Sequence, residues 1–254
     1  MYVFLKHIAQ KVLPRQWLIK NGPALRLWLG FAYKGNRFFC NICRSGLSRF
    51  VSLNSGDLLC PFCGSLPRHR RLWQVLGEKD WLRRGRILDF SPPVCLHTAF
   101  ENLTGIEYVS TDFAGEFAAR KNYDITNIDV PDASFDLVIC YHVLEHVEDD
   151  SKAMSELFRV LKKGGLVIVQ TPFKDGDIFE DSAIQSPNDR LKYFGQADHV
   201  RIYSVNGLRR RLEQAGFDVQ IFSWQVPASQ SDVRMGLKET EYLLVGEKAL
   251  RVVD

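Results

Sequence analysis

Phe135-Asp136-Leu137-Val138-Ile139-Cys140-Tyr141 is an almost continuous apolar run that leads straight into His142-Val143-Leu144-Glu145-His146-Val147. A sheet with one wet face shows alternation, so an unbroken run marks a strand buried on both faces. Working outward, Ala153, Leu157, Val160 and Leu161 recur at helical spacing, and Gly164-Gly165 is expected to stop that helix. Leu166 to Gln170 reads as the next strand. Upstream, Ile87-Leu88-Asp89-Phe90 and Glu107 to Asp112 are shorter strands with an acid at or near the end. Downstream, Leu208, Leu212 and Ala215 mark a helix closed by Gly216, and Phe217 to Phe222 and Tyr242 to Val245 form a last pair of strands. Such alternation predicts an α/β domain over residues 85–254, with a mostly parallel sheet covered by helices on both faces.

Before residue 85 the pattern changes. Cys40-Asn41-Ile42-Cys43 and Cys60-Pro61-Phe62-Cys63 have sixteen residues between the inner cysteines, which is zinc-site spacing. Cys40, Cys43, Cys60 and Cys63 are therefore expected to hold a structural Zn²⁺, with no open position for catalysis, in a small zinc-ribbon module over residues 40–66. So short a segment cannot bury much core, and the metal would supply much of its folding free energy. Residues 1–39 read as a helical arm, with Phe4, Leu5, Ile8 and Val12 on one stripe, Pro14 ending it, and a Leu- and Trp-rich stretch from Leu25 to Phe31. That arm packs on the protein itself or on a second subunit, or it touches an anionic membrane face through residues 1–31. Residues 67–84 read as a connecting helix whose basic start, Arg68, Arg70 and Arg71, is a solvated face, a docking surface or an RNA contact.

Composition bounds the rest. Of 254 residues, 46% are hydrophobic and 25% charged, and the net charge of +3 gives no whole-protein field for a polyanion. Tyr2 to Leu5 is interrupted by Lys6 and His7 and lacks a cleavage site, and no apolar run approaches the ~20 residues needed to span a bilayer. Unpaired thiolate ligands fit a reducing, cytoplasmic location, and the isolated Cys95 and Cys140 read as buried free thiols.

In a sheet of this kind ligands bind beyond the carboxyl ends of the strands. Asp89 stands there, as do Asp112, close to the ~20-residue offset at which an acid meets ribose hydroxyls, and Asp124. On Ile87-Leu88-Asp89, Tyr108 to Asp112, Tyr123-Asp124-Ile125-Thr126, Ser134 to Val147 and Leu157 to Gly165, the chain resembles class I S-adenosylmethionine-dependent methyltransferases of the type 11 methyltransferase-domain family. That resemblance implies a Rossmann-like seven-stranded sheet with a reversed last hairpin. It implies S-adenosyl-L-methionine as methyl donor, held by Asp89, Phe90, Ser91, Asp112, Phe113, Asp124, Ile125 and Tyr141. The chain departs from the family where a glycine-rich loop is usual: Asp89-Phe90-Ser91-Pro92-Pro93-Val94 has no glycine.

Methyl transfer to a hydroxyl needs alignment and removal of a proton or polarisation of the oxygen. If the chain after Tyr141 turns helically, His142, Glu145 and His146 share a face. With His199 they resemble the metal site of small-RNA 2′-O-methyltransferases, so a second divalent metal on His142, Glu145, His146 and His199 is one expectation. The other is a metal-free site in which His142, His146 or His199 acts as base. Phe173 to His199, rich in Asp and Glu, is expected to cover the acceptor. The leading expectation is O-methylation of a small-molecule or glycan-type acceptor. The alternatives are an RNA methyltransferase that grips nucleic acid through the ribbon and Arg68 to Arg71, and a binding module that has lost donor chemistry.

Overall fold

The computed structural model describes residues 26–117, 119–224, 229–238 and 240–249. Residues 26–31 are helical. Four short strands follow: β1 (Lys34–Cys40), β2 (Ser45–Leu47), β3 (Val51–Ser52) and β4 (Leu58–Leu59). Then come α1 (Pro67–Glu78), β5 (Arg86–Phe90), α2 (Val94–Glu101), β6 (Glu107–Thr111) and β7 (Phe135–Tyr141). The chain continues through α3 (Asp150–Val160), β8 (Leu161–Gln170), β9 (Phe179–Glu180) and α4 (Pro187–Phe194). It closes with β10 (Arg201–Ile202), α5 (Val205–Gln214), β11 (Asp218–Trp224), α6 (Gln230–Arg234) and β12 (Glu241–Glu247). Among the described residues no helix is long and apolar enough to cross a membrane.

The chain divides into two compact units. One takes in the described residues up to Arg83 with Pro92–Thr104 and Trp224–Glu241; the other takes in Arg84–Ser91, Gly105–Ser223 and the chain from Tyr242.

The first unit is built on two antiparallel pairs, β1 with β2 and β3 with β4. Its interior holds two arginines. Arg70 donates from Nε to the Met235 carbonyl (2.7 Å), from Nη1 to that of Ser65 (2.8 Å), and from Nη2 to those of Leu58 (2.8 Å) and Gly236 (2.9 Å). Its guanidinium also lies 4.2 Å from the centroid of the Phe50 ring. Arg71 pairs with Asp232 (3.0 Å) and Glu241 (3.5 Å) and stacks over Trp224. A buried guanidinium needs its donors satisfied or its charge paired; Arg70 meets the first condition and Arg71 the second, and both tie α1 to chain more than 150 residues away. Of the basic cluster read as a solvated face, a docking surface or an RNA contact, Arg70 and Arg71 are thus withdrawn from the surface. Arg70 and Arg71 are 0% and 1% exposed and serve the fold.

The second unit carries a six-stranded sheet in the order β11-β12-β8-β7-β5-β6. The β5–β6, β5–β7 and β7–β8 pairs are parallel, and β12 runs antiparallel to β8. The expected seventh strand, around Tyr123 to Thr126, is absent among the described residues. Lys121 makes a single parallel bridge to Thr111, and the Asp124 carboxylate then turns the chain by accepting from the Thr126 amide and hydroxyl, both at 2.8 Å. That side-chain turn competes with continued pairing and ends the strand before it grows. The helix expected to stop at Gly164-Gly165 instead ends at Val160, because Leu161 is already extended (φ −77°, ψ 139°) and starts β8. Gly164 (φ +74°) bends that strand.

Candidate active site and cysteine centre

Register brings the carboxyl ends of three strands to one edge. Phe90 stands opposite Thr111 and Cys140, and Tyr141 opposite Gln170, so Ser91, Asp112 and His142 leave the sheet together. Two of these take left-handed backbone that non-glycine residues rarely adopt: Ser91 at φ +49° and His142 at φ +58°. Strain of this kind costs about 1–3 kcal/mol and gathers at functional sites. Ser91 occupies the conformation that the missing glycines would have supplied. It is held there by its amide on the Thr111 carbonyl (2.7 Å) and its hydroxyl on Asp112 Oδ1 (2.8 Å).

Asp112 is the hub of this edge. Besides Ser91, its Oδ2 accepts the amides of Glu116 and Phe117, the latter at 2.9 Å. Among the described residues, three donors thus meet this carboxylate. Phe113, next in sequence, is 70% exposed and presents a free aromatic face at this edge. Asp124 Oδ1 accepts from the Thr126 amide and hydroxyl, and Ile125 beside it is buried. Asp89 and Phe90, expected to touch the donor, have buried side chains. Asp89 is buried and accepts the Tyr108 hydroxyl at 2.9 Å, and burial pushes its carboxyl up to about 7. Phe90 packs into the hydrophobic core. Tyr141 is also largely buried.

We expect Asp112→Asn to weaken binding of S-adenosylhomocysteine about 10- to 100-fold in calorimetry, about 1.4–2.8 kcal/mol. Unchanged affinity would remove Asp112 from the donor site.

The segment after β7 makes one 3₁₀ turn, Leu144–His146. One oxygen of Glu145 and one ring nitrogen each of His146 and His199 lie within 4.8 Å of one another. Glu145 Oε2 and His199 Nε2 are buried and meet no hydrogen-bond partner. Such orphaned atoms are rare unless an ion or water completes them. His142 stands outside this trio. Its backbone sits at φ +58°, and its Nδ1 bonds Glu145 Oε1 at 3.1 Å. Of the four expected ligands, Glu145, His146 and His199 come within reach of one ion, while His142 bonds the carboxylate of Glu145. His146 Nδ1 meets Asp198 at 3.1 Å. Burial, with His146 beside it, holds His199 below its ordinary range, so the ring stays neutral at pH 7.

Arg201 makes the trio possible. It donates to the carbonyls of Leu144 (3.2 Å), Val147 and Glu148 (2.8 Å), clamping the 3₁₀ turn to β10, while the Val200 amide bonds the Glu145 carbonyl at 2.9 Å. The sequence reading assigned Arg201 no role; its place two residues after His199 was the available signal. Acids of the covering segment are mostly engaged: Glu180 by Arg201 and Arg211, Asp177 by Arg210, and Asp189 by Ser186. Glu148, Glu180, Arg190 and Arg211 line a polar cavity of about 880 Å³ in this unit.

In the first unit the four cysteines converge. The Cys40–Cys63 sulfurs are 3.7 Å apart and those of Cys43 and Cys60 are 3.8 Å apart. A tetrahedron of thiolates at ~2.3 Å from zinc has edges of about 3.8 Å, so the donor set fits that ion. Ser65 Oγ lies 3.3 Å from both Cys40 and Cys63, and Arg70 backs Ser65. Cys95 and Cys140 are buried free thiols, as expected.

A parallel sheet closed by an antiparallel strand is the arrangement expected of S-adenosylmethionine-dependent methyltransferases. The family described as "Methyltransferase domain" matches residues 70–220, more than half of the chain, and the chain belongs to that family. A Mycolicibacterium smegmatis protein named "Probable S-adenosylmethionine-dependent methyltransferase" is 35% identical over 162 residues, covering 60% of this chain and 59% of its own. The tRNA U34 carboxymethyltransferase of Sulfurovum is 26% identical, covering 58% of this chain and 44% of its own. The chain thus spans well under two thirds of these relatives. YcgJ from Bacillus subtilis superposes with a TM-score of 0.50 at 16% identity, covering 72% of this chain and 99% of that one, a likeness of fold.

Proposed function

We propose that the chain transfers the methyl group of S-adenosylmethionine to a hydroxyl oxygen of a small-molecule or glycan-type acceptor. A divalent cation on Glu145, His146 and His199 assists, and zinc in the four cysteines is structural. The observation that carries this reading is the trio itself: two buried, unpartnered ligand atoms at the strand edge that Ser91 and Asp112 share. In this reading Asp112 accepts from the ribose hydroxyls, Asp124 from the adenine amino group, and the exposed Phe113 supplies a face for the base. A bound divalent cation would polarise the acceptor oxygen and lower the cost of its deprotonation. Asp198 fixes the tautomer of His146, and His142 keeps Glu145 aimed inward. His199, held neutral, is able to bind or to take a proton.

Methyl-tritiated S-adenosylmethionine, supplied with hydroxylated small molecules, sugars or RNA, tests this. We expect label as an alkali-stable methyl ether on a small hydroxylated acceptor, and loss of transfer with EDTA. Label confined to RNA, or to nitrogen or carbon, overturns the acceptor; transfer indifferent to EDTA overturns the cation.

A further inference from the structure

Every charged side chain from Met1 to Gly56 is a Lys or an Arg, and the first acid is Asp57. The whole chain carries only +3, so positive charge is concentrated here and the remainder is net acidic. In the described part of this stretch Lys34, Arg37, Arg44 and Arg49 are exposed.

The same stretch exposes large apolar side chains. Trp28 is 79% exposed, Phe31 63% and Leu27 54%. On the helical turn over residues 26–31 these positions are i, i+1 and i+4, and they fall on one side. Basic groups lie beside them. Leu27, Arg26, Arg44 and Phe62 line one cavity of about 370 Å³. Phe31 lies edge-on to Phe62 at 6.3 Å, and Arg49 covers the ring of Tyr33 at 5.3 Å.

We propose that the first unit docks on an anionic lipid bilayer, with Leu27, Trp28 and Phe31 entering the headgroup–acyl boundary and Arg44 and Arg49 meeting lipid phosphates. Charge complementarity selects the occupant. Anionic leaflets attract clustered Lys and Arg, and Trp with Phe and Leu on an adjoining face is the composition of interfacial helices. Nucleic acid fits less well: Leu27 offers no stacking surface, and Arg70 and Arg71 are buried. Residues 1–25, included in the membrane contact expected from sequence, lie outside the described residues; this inference rests on Leu27, Trp28, Phe31 and the cations around them, independently of the acceptor.

Co-sedimentation of the full chain with phosphatidylcholine vesicles, with and without phosphatidylglycerol, tests it. We expect at least about tenfold stronger partitioning into anionic vesicles, weakening with salt. The Leu27→Ser, Trp28→Ser, Phe31→Ser triple variant should lose about tenfold or more while retaining wild-type zinc content. Should the triple variant fold poorly, brominated lipids provide the second measurement: they should quench wild-type tryptophan fluorescence, and Trp28→Phe should lose that quenching. Equal partitioning into neutral vesicles, quenching that survives Trp28→Phe, or RNA binding lost in the triple variant without any vesicle binding overturns the proposal.

Discussion

Glu145→Gln is expected to lower hydroxyl methylation by about 10²- to 10⁴-fold, with affinity for S-adenosylhomocysteine held within about twofold. The substitution keeps the shape of the side chain and removes its charge. Oε2 is buried and unpartnered, and one ring nitrogen each of His146 and His199 stands within 4.8 Å. An amide there would place either a donor or a weaker acceptor toward any cation. It would also disturb the 3.1 Å bond from His142. Manganese resonance measured on the full chain provides a readout apart from turnover: the wild type should bind one ion with affinity lost in Glu145→Gln. Full methyl transfer by the variant, or by wild type in EDTA, would return the site to a metal-free base.

The second large effect is expected at the cysteines. Stripping zinc, or Cys60→Ser, should unfold the segment from β1 to β4 and open it to proteolysis within residues 34–66. Structural zinc contributes on the order of 10–16 kcal/mol of apparent binding free energy in small modules. Each of the two short strand pairs is too small to stand alone. Loss of the ion also leaves Cys40 and Cys63 around Ser65, on which Arg70 donates. The buried Arg70 then loses its fixed partners, and the disturbance reaches the Met235 and Gly236 carbonyls. Zinc analysis with limited proteolysis reads this out. A protein that keeps its protease resistance without zinc would show that packing alone holds the module.

Much of this was legible beforehand for identifiable reasons. Strands β5 to β8 and β12 are buried runs whose period could not be read otherwise, and the cysteine spacing carries its geometry with it. The places where expectation failed share a cause. Asp124 reads as a strand end, yet its carboxylate bonds the Thr126 amide and hydroxyl and ends pairing locally. Arg70 and Arg71 read as surface charge because burial of a guanidinium depends on carbonyls and carboxylates far along the chain. His142 reads as a ligand at helical spacing, and its bond to Glu145 was not legible because the chain there makes a 3₁₀ turn rather than an α-helix.

By itself the sequence determined the alternation of strands and helices, the acids at their ends and the four-thiolate centre, since periodicity and short spacings are local properties of the chain. Only the tertiary structure decided that Glu145, His146 and His199 converge. Residues 145 and 199 are joined by Arg201 reaching back to the carbonyls of Leu144, Val147 and Glu148, a long-range contact that no local pattern encodes.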